Sequence, residues 1–126
     1  MKKLIRYWSD QVTDALETAK ALFRSGKFHF CLFFCHLAVE RMLKAVVVSV
    51  TKDHAPYTHN LVFLAGKAGL ELDDDRLHFL ESLNEWCLSA RYPASQQALY
   101  EKAQKGYALG LLRETEKFLT WLKKLL

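Results

Sequence analysis

Apolar side chains fill one long stretch of the chain, residues 28–50, almost without interruption. As a helix, this stretch is about six turns long and apolar on nearly every side, which indicates a helix enclosed by other helices. Its few polar side chains fall within about 80° of arc, and Arg41 lies about 60° further on. We call this strip the polar seam, and its members are His29, His36, Glu40 and Lys44. The sequence therefore predicts a buried central helix with one narrow charged strip.

Two interpretations of the polar seam stay open from the pattern alone. In the first, the seam is where the central helix meets solvent or a gap between its neighbours. In the second, Glu40, Arg41 and Lys44 meet a charged partner from elsewhere in the fold, or an anionic ligand. Glu40 and Lys44 have the favourable order and spacing for a helical pair, but such a pair contributes only ~0.3–0.5 kcal/mol. Local stability alone therefore hardly explains the seam.

The other segments have helical patterns of their own. Apolar residues spaced by threes and fours predict an amphipathic helix over about residues 4–24, and Gly26 can then take the left-handed conformation that ends it. The central helix returns antiparallel, which makes a hairpin. After Pro56, Thr58 is placed to cap a short helix over residues 59–67. A fourth helix starts at three consecutive aspartates, residues 73–75, and ends at an Arg-Tyr-Pro sequence.

The last predicted helix spans about residues 97–124. Its inward stripe is Ala108, Leu111, Leu112, Thr115, Phe118, Leu119, Leu122 and Leu126. Off this stripe lie Tyr107, Leu109, Trp121 and Leu125. These are too many large apolar groups for a freely solvated face, so we expect a two-fold homodimer. The predicted fold is an all-α, up-and-down bundle of four long helices and one short helix, in a single domain over residues 1–126.

Composition agrees with this fold and narrows the function. Of the 126 residues 51% are hydrophobic, with five glycines and two prolines, which favours helices with short connections. The formal charge of +4 permits RNA as a partner without requiring it. Arg6 and Asp10 interrupt any signal-peptide core, and the charges of the central helix are costly in lipid. We therefore expect a cytoplasmic protein with no membrane partner.

The sequence contains no recognisable catalytic or metal-binding pattern. Cys31, Cys35 and Cys87 lie in apolar runs and are expected to be core residues. Cys31 and Cys35 share a helix face, but no other ligand pair has structural-zinc spacing. The chain has no glycine-rich phosphate loop and no G-x-S-x-G motif. We therefore predict no metal and no cofactor, and we assign no catalytic residue.

Three short motifs are similar to those of one family. Residues 38–45, AVERMLKA, resemble the A-V-E-K-x-L-K-A core of the HEPN domain (higher eukaryotes and prokaryotes nucleotide-binding domain). Residues 58–61, THNL, resemble its T-H-D/N-L segment after a proline-containing loop. Residues 90–93, ARYP, resemble the R-Y-P element that ends its fourth helix. The motifs occur in the family's order, and the resemblance covers essentially the whole chain.

The resemblance implies a helical bundle that commonly homodimerises and often accompanies a small nucleotidyltransferase. We therefore expect a binding and partner module of a toxin–antitoxin-like gene pair, with a nucleotide or RNA phosphate as its ligand. The expected ligand-binding residues are Arg91, Tyr92, Glu40, Arg41, Lys44, His59 and His36. Two roles stay open for Arg91, which either pairs with Glu40 or a helix-end carbonyl, or binds phosphate. His59 either fixes its loop by hydrogen bonding or acts on a ligand.

A ribonuclease is the alternative that the resemblance raises. Many members outside this branch are metal-independent RNases that use an arginine followed four to six residues later by a histidine. No histidine follows Arg91 at that distance, and Arg24 with His29 has the spacing but straddles the first turn. Metal-free cleavage needs a base as well as a cation, and His59 or His36 could be brought in from other helices to supply it. A divergent endoribonuclease toxin and a structural homodimer without ligand remain the alternatives.

Overall fold

A computed structural model of the protein describes residues 1–87 and 93–126, and within these ranges all regular structure is helical. The helices are α1 (Lys2–Arg24), α2 (Phe28–Thr51), α3 (Leu61–Lys67), α4 (Asp74–Asn84), α5 (Pro93–Lys102) and α6 (Lys105–Lys123). The predicted all-α bundle is confirmed. None of the helices in these ranges combines the length and the hydropathy needed to cross a membrane.

The central helix of the bundle is α2, as its continuous apolar pattern predicts. It packs against α1, α3, α4 and α6, and most of its residues from Cys31 to Val48 are buried. Gly26 takes a left-handed conformation (φ 77°) between α1 and α2, which confirms the predicted hairpin turn. α2 ends at a second left-handed residue, Lys52 (φ 60°), four residues before Pro56. The α2–α3 loop, residues 52–60, therefore begins before the proline is reached.

The predicted cap of α3 is wrong by two residues. Asn60, rather than Thr58, caps the helix, and its side-chain oxygen accepts hydrogen bonds from the backbone N–H groups of Val62 and Phe63. Asn84, the last residue of α4, accepts the N–H of Leu61 at 2.9 Å and donates to the Asn60 side chain at 3.1 Å. Two asparagine side chains therefore join the start of α3 to the end of α4. This contact is non-local, so the sequence pattern did not reveal it.

The chain after α4 also differs from the sequence pattern. The fourth helix begins as predicted, with Asp73 as its cap, but it ends at Asn84, and Trp86 is fully buried in the turn that follows. The last predicted helix is divided into α5 and α6 by an extended residue, Gln104 (φ −101°, ψ 166°). Gly106 and Gly110 lower the local preference for a continuous helix. The described ranges therefore contain six helices instead of five.

The inward face of α6 agrees with the predicted stripe except at its end. From Ala108 to Leu122 every predicted inward residue is buried, whereas Leu126 is 46% exposed beyond the last turn. Two of the four off-stripe residues are engaged within the chain. The ring of Tyr107 lies 5.9 Å from that of Trp86, and the ring of Trp121 lies 5.5 Å from that of Phe118.

Candidate functional site

Three predicted site residues meet around the carboxylate of Glu40. Lys44, one turn further along α2, donates to Oε2 at 3.1 Å, and the Nδ1–H of His59 in the α2–α3 loop donates to Oε1 at 2.8 Å. Glu40 is only 3% exposed and Lys44 only 6%. A buried carboxylate and a buried ammonium each require such compensation, because desolvation penalises both charges. The polar seam thus meets a side chain from elsewhere in the fold, the imidazole of His59, instead of facing only solvent.

His36 fixes the same loop through the backbone. Its Nε2–H donates to the carbonyl of His59 at 2.9 Å, and its Nδ1 lies 3.8 Å from Glu40 Oε1. We call His36, Glu40, Lys44 and His59 the Glu40 cluster. Within it both the backbone and the ring of His59 are attached to α2. The His59 side chain is nevertheless 60% exposed. With Nδ1 bonded to Glu40, Nε2 is the remaining polar atom of the exposed ring.

Arg41 and Lys44 approach the same aromatic ring. The Lys44 ammonium lies 5.0 Å from the centre of the Trp8 indole, and the Arg41 guanidinium carbon lies 5.3 Å from it. Arg41 also donates to the side chain of Gln11. The Trp8 Nε1 and the Arg41 Nε are buried without a hydrogen-bond partner among the described residues. Two cations of α2 therefore lie close to one indole of α1, and one N–H of each of Trp8 and Arg41 has no acceptor among the described residues.

A pocket of about 340 Å³ opens next to Trp8, between α1, α2 and the α2–α3 loop. It is lined by Leu4, Tyr7, Trp8, Lys44, His54, Ala55, Pro56 and Tyr57. Sequence reasoning missed all of these except Lys44, because Trp8 fits the inward stripe of α1 and a loop has no periodicity. The signal that could have found the pocket is the sequence His54-Ala55-Pro56-Tyr57. It has an imidazole and a phenol on either side of a proline, and it follows shortly after α2, the helix that carries Arg41 and Lys44.

Three further residues that the sequence singled out are Arg91, Tyr92 and His29. Arg91 and Tyr92, with the expected pairing of Arg91 and Glu40, lie outside the described residues. His29 leaves the polar seam and packs against the rings of Trp86 (5.7 Å) and Tyr100 (5.6 Å). Burial lowers the pKa of His29, so this imidazole is neutral at neutral pH. Its Nε2 is buried and has no partner among the described residues.

The two cysteines of α2 are core residues, as predicted. Cys31 and Cys35 are fully buried, and Cys35 is hydrogen-bonded to Cys31. This hydrogen bond, together with burial, raises the pKa of Cys35 far above its usual value, so the thiol stays protonated. In the part of the chain that the structure describes, no three side chains of His, Cys, Asp or Glu lie close enough together to hold a metal ion.

The family model of the HEPN domain matches residues 5–125, and the chain therefore belongs to the HEPN domain family. A search of curated proteins found no match. The fold is similar to the crystal structure of TT1696 from Thermus thermophilus, with a TM-score of 0.78 over 97% of this chain and 98% of that one. Because the two sequences are only 17% identical, the similarity concerns the fold alone.

Proposed function

We propose that this HEPN domain is a binding and partner module that takes a nucleotide or an RNA phosphate. We further propose that it works as a homodimer with a small nucleotidyltransferase, in a gene pair of the toxin–antitoxin kind. The observation that carries the ligand proposal is the pair of cations, Arg41 and Lys44, that α2 places close to the Trp8 ring. The partner proposal rests on the three motifs and on family membership.

The charges around the Glu40 cluster favour an anion. Among the described residues that are buried, Glu40 is the only acid, and it already accepts hydrogen bonds from Lys44 and His59. Arg41 adds a second cation, and its Nε has no partner among these residues. A phosphate oxygen supplies both the missing acceptor and the missing negative charge. Aromatic rings beside a cationic group are also the usual surface for stacking a nucleobase.

Binding should be saturable and should weaken as salt rises when fluorescently labelled RNA or labelled ATP is titrated with purified protein. Arg41→Gln should bind about tenfold more weakly, because a hydrogen bond to a charged group contributes ~1.5–3 kcal/mol. Arg113→Gln, a change at an exposed position of α6, is the matched control and should behave as the wild type. If neither RNA nor ATP binds, the structural homodimer without ligand replaces this proposal.

One observation favours a ribonuclease as the second candidate. The Glu40 carboxylate holds the Nδ1–H of His59 at 2.8 Å while the ring stays 60% exposed. A carboxylate that orients a histidine in this way is the arrangement found in many general bases. Arg41, Lys44 or Arg91, of which Arg91 lies outside the described residues, could supply the cation that stabilises a phosphorane.

Incubation of single-stranded RNA with the purified protein in EDTA separates the two candidates. As a binding module, the protein should leave the RNA intact at the background rate. Arg24→Ala and His29→Ala should also leave it intact. Cleavage that is lost in His59→Ala and kept in His78→Ala, a second exposed histidine, would instead establish the ribonuclease. A gene for a nucleotidyltransferase next to the gene for this chain would support the proposed partner.

A further inference from the structure

We propose that the pocket beside Trp8 is a binding site for a single nucleotide, with the base held by aromatic rings and the phosphate by Lys44. The inference rests on the proposed function and specifies its ligand as a mononucleotide instead of an RNA strand. The residues that line the pocket all belong to α1, α2 and the α2–α3 loop.

The size of the pocket selects the ligand. Its volume of about 340 Å³ is at the lower end of the roughly 300–1,000 Å³ range of small-molecule sites. A volume of this size matches one nucleotide. Tyr7 and Trp8 form one wall, and Pro56 and Tyr57 form another. A flat ring suits such walls, because the faces of aromatic side chains stack well on a nucleobase.

The polar groups of the pocket select an anion with a hydrogen-bond acceptor. Lys44 is the charged residue of the lining, and none of the eight lining residues is an acid; the carboxylate partner of Lys44, Glu40, is not among them. The Lys44 ammonium makes one hydrogen bond, to Glu40, and an ammonium has three N–H donors. His54 adds an exposed imidazole at the other side of the pocket. A phosphate oxygen can accept hydrogen bonds from the Lys44 ammonium and from the ring N–H of His54.

The Glu40 cluster holds the outer wall of the pocket in place. His54 and Tyr57 belong to the loop that ends at His59, and the backbone and ring of His59 are both bonded to α2. The side chain of Tyr57 is fully exposed, with a relative exposure of 106%, so its ring is free to lie over a ligand. The loop is therefore fixed at its end and open at the residue that would cover the base.

Isothermal titration calorimetry with AMP, GMP, CMP and UMP tests the site. We expect one mononucleotide to bind per chain, with adenosine and inorganic phosphate each at least about tenfold weaker, because each supplies half of the contacts. Tyr57→Ala and His54→Ala should weaken this binding by about fivefold or more. Phe63→Ala and His78→Ala, which replace exposed residues on α3 and α4, are the matched controls and should bind normally.

The outcomes separate this site from the proposed function. RNA binding without mononucleotide binding would overturn the pocket and leave the proposed function standing. Mononucleotide binding that is unchanged in Tyr57→Ala and His54→Ala would also overturn it, because the ligand would then lie elsewhere. If the protein binds neither RNA nor any mononucleotide, both the pocket proposal and the proposed function are overturned. Circular dichroism of the two variants checks that each is folded, as expected for exposed positions.

Discussion

Glu40→Ala should lower the free energy of unfolding by about 3 kcal/mol or more, measured by urea unfolding with circular dichroism. The change leaves the Lys44 ammonium without a counter-charge at a position that is only 6% exposed. It also removes the acceptor of the His59 Nδ1–H. Desolvating a charge with no compensation is among the largest penalties that a single substitution can impose. The same variant should release the α2–α3 loop, because one of the two attachments of His59 to α2 is lost.

Two further variants show whether burial is the cause. Glu40→Gln keeps the shape and a carbonyl acceptor, so it should cost less than Glu40→Ala. Glu116→Ala is the matched control, since Glu116 also pairs with a lysine, Lys20, at 3.4 Å, but its side chain is 44% exposed. An exposed pair contributes about 1 kcal/mol at most. Equal unfolding curves for the wild type and Glu40→Ala would contradict the importance of the cluster.

The purified chain should have the mass of two chains by light scattering at micromolar concentration, instead of 14.6 kDa. The structure moves the expected dimer contact from the last helix to α2. Tyr107 and Trp121 pack against rings of their own chain. Phe30, Phe34 and Leu37 form an apolar stripe on α2, in which Phe34 and Leu37 are half-buried against the core and Phe30 is exposed. Phe30 is 48% exposed, and the spacing of the three residues places them on one side of the helix. A two-fold axis through this stripe would join two apolar faces.

A matched pair of charge substitutions locates this interface. Phe30→Glu should give a folded monomer, because an interface needs about 800 Å² of well-packed surface per subunit and a buried charge disrupts its centre. Leu125→Glu, at a residue of similar exposure (45%), should remain a dimer. If Leu125→Glu dissociates the dimer and Phe30→Glu does not, the interface lies at the end of α6 instead. A mass near that of one chain for the unmodified protein would refute the dimer.

Parts of the candidate site were predictable because they lie on one helix. Glu40 and Lys44 share a face through the 3.6-residue period alone, and Arg41 follows beside them. Their partner His59 was recognisable as a loop residue next to a helix start, but nothing in the local sequence says that its ring reaches Glu40. Trp8 was assigned to the core for a similar reason. Periodicity places the residue on the inner face of α1 without showing that two cations and a pocket meet it there.

The sequence by itself determined the all-α class, the buried central helix, the glycine turn at Gly26 and the start of α4 at the three aspartates. Each of these follows from interactions within a few residues, which a local pattern records. Tertiary structure decided the Asn60–Asn84 link, the end of α4, the division at Gln104 and the pocket beside Trp8. These depend on which distant segments pack together, and many distant pairings are compatible with the same local pattern. The function of the seam lies in this second group, because Glu40 obtains its loop partner, His59, only through the packing of the bundle.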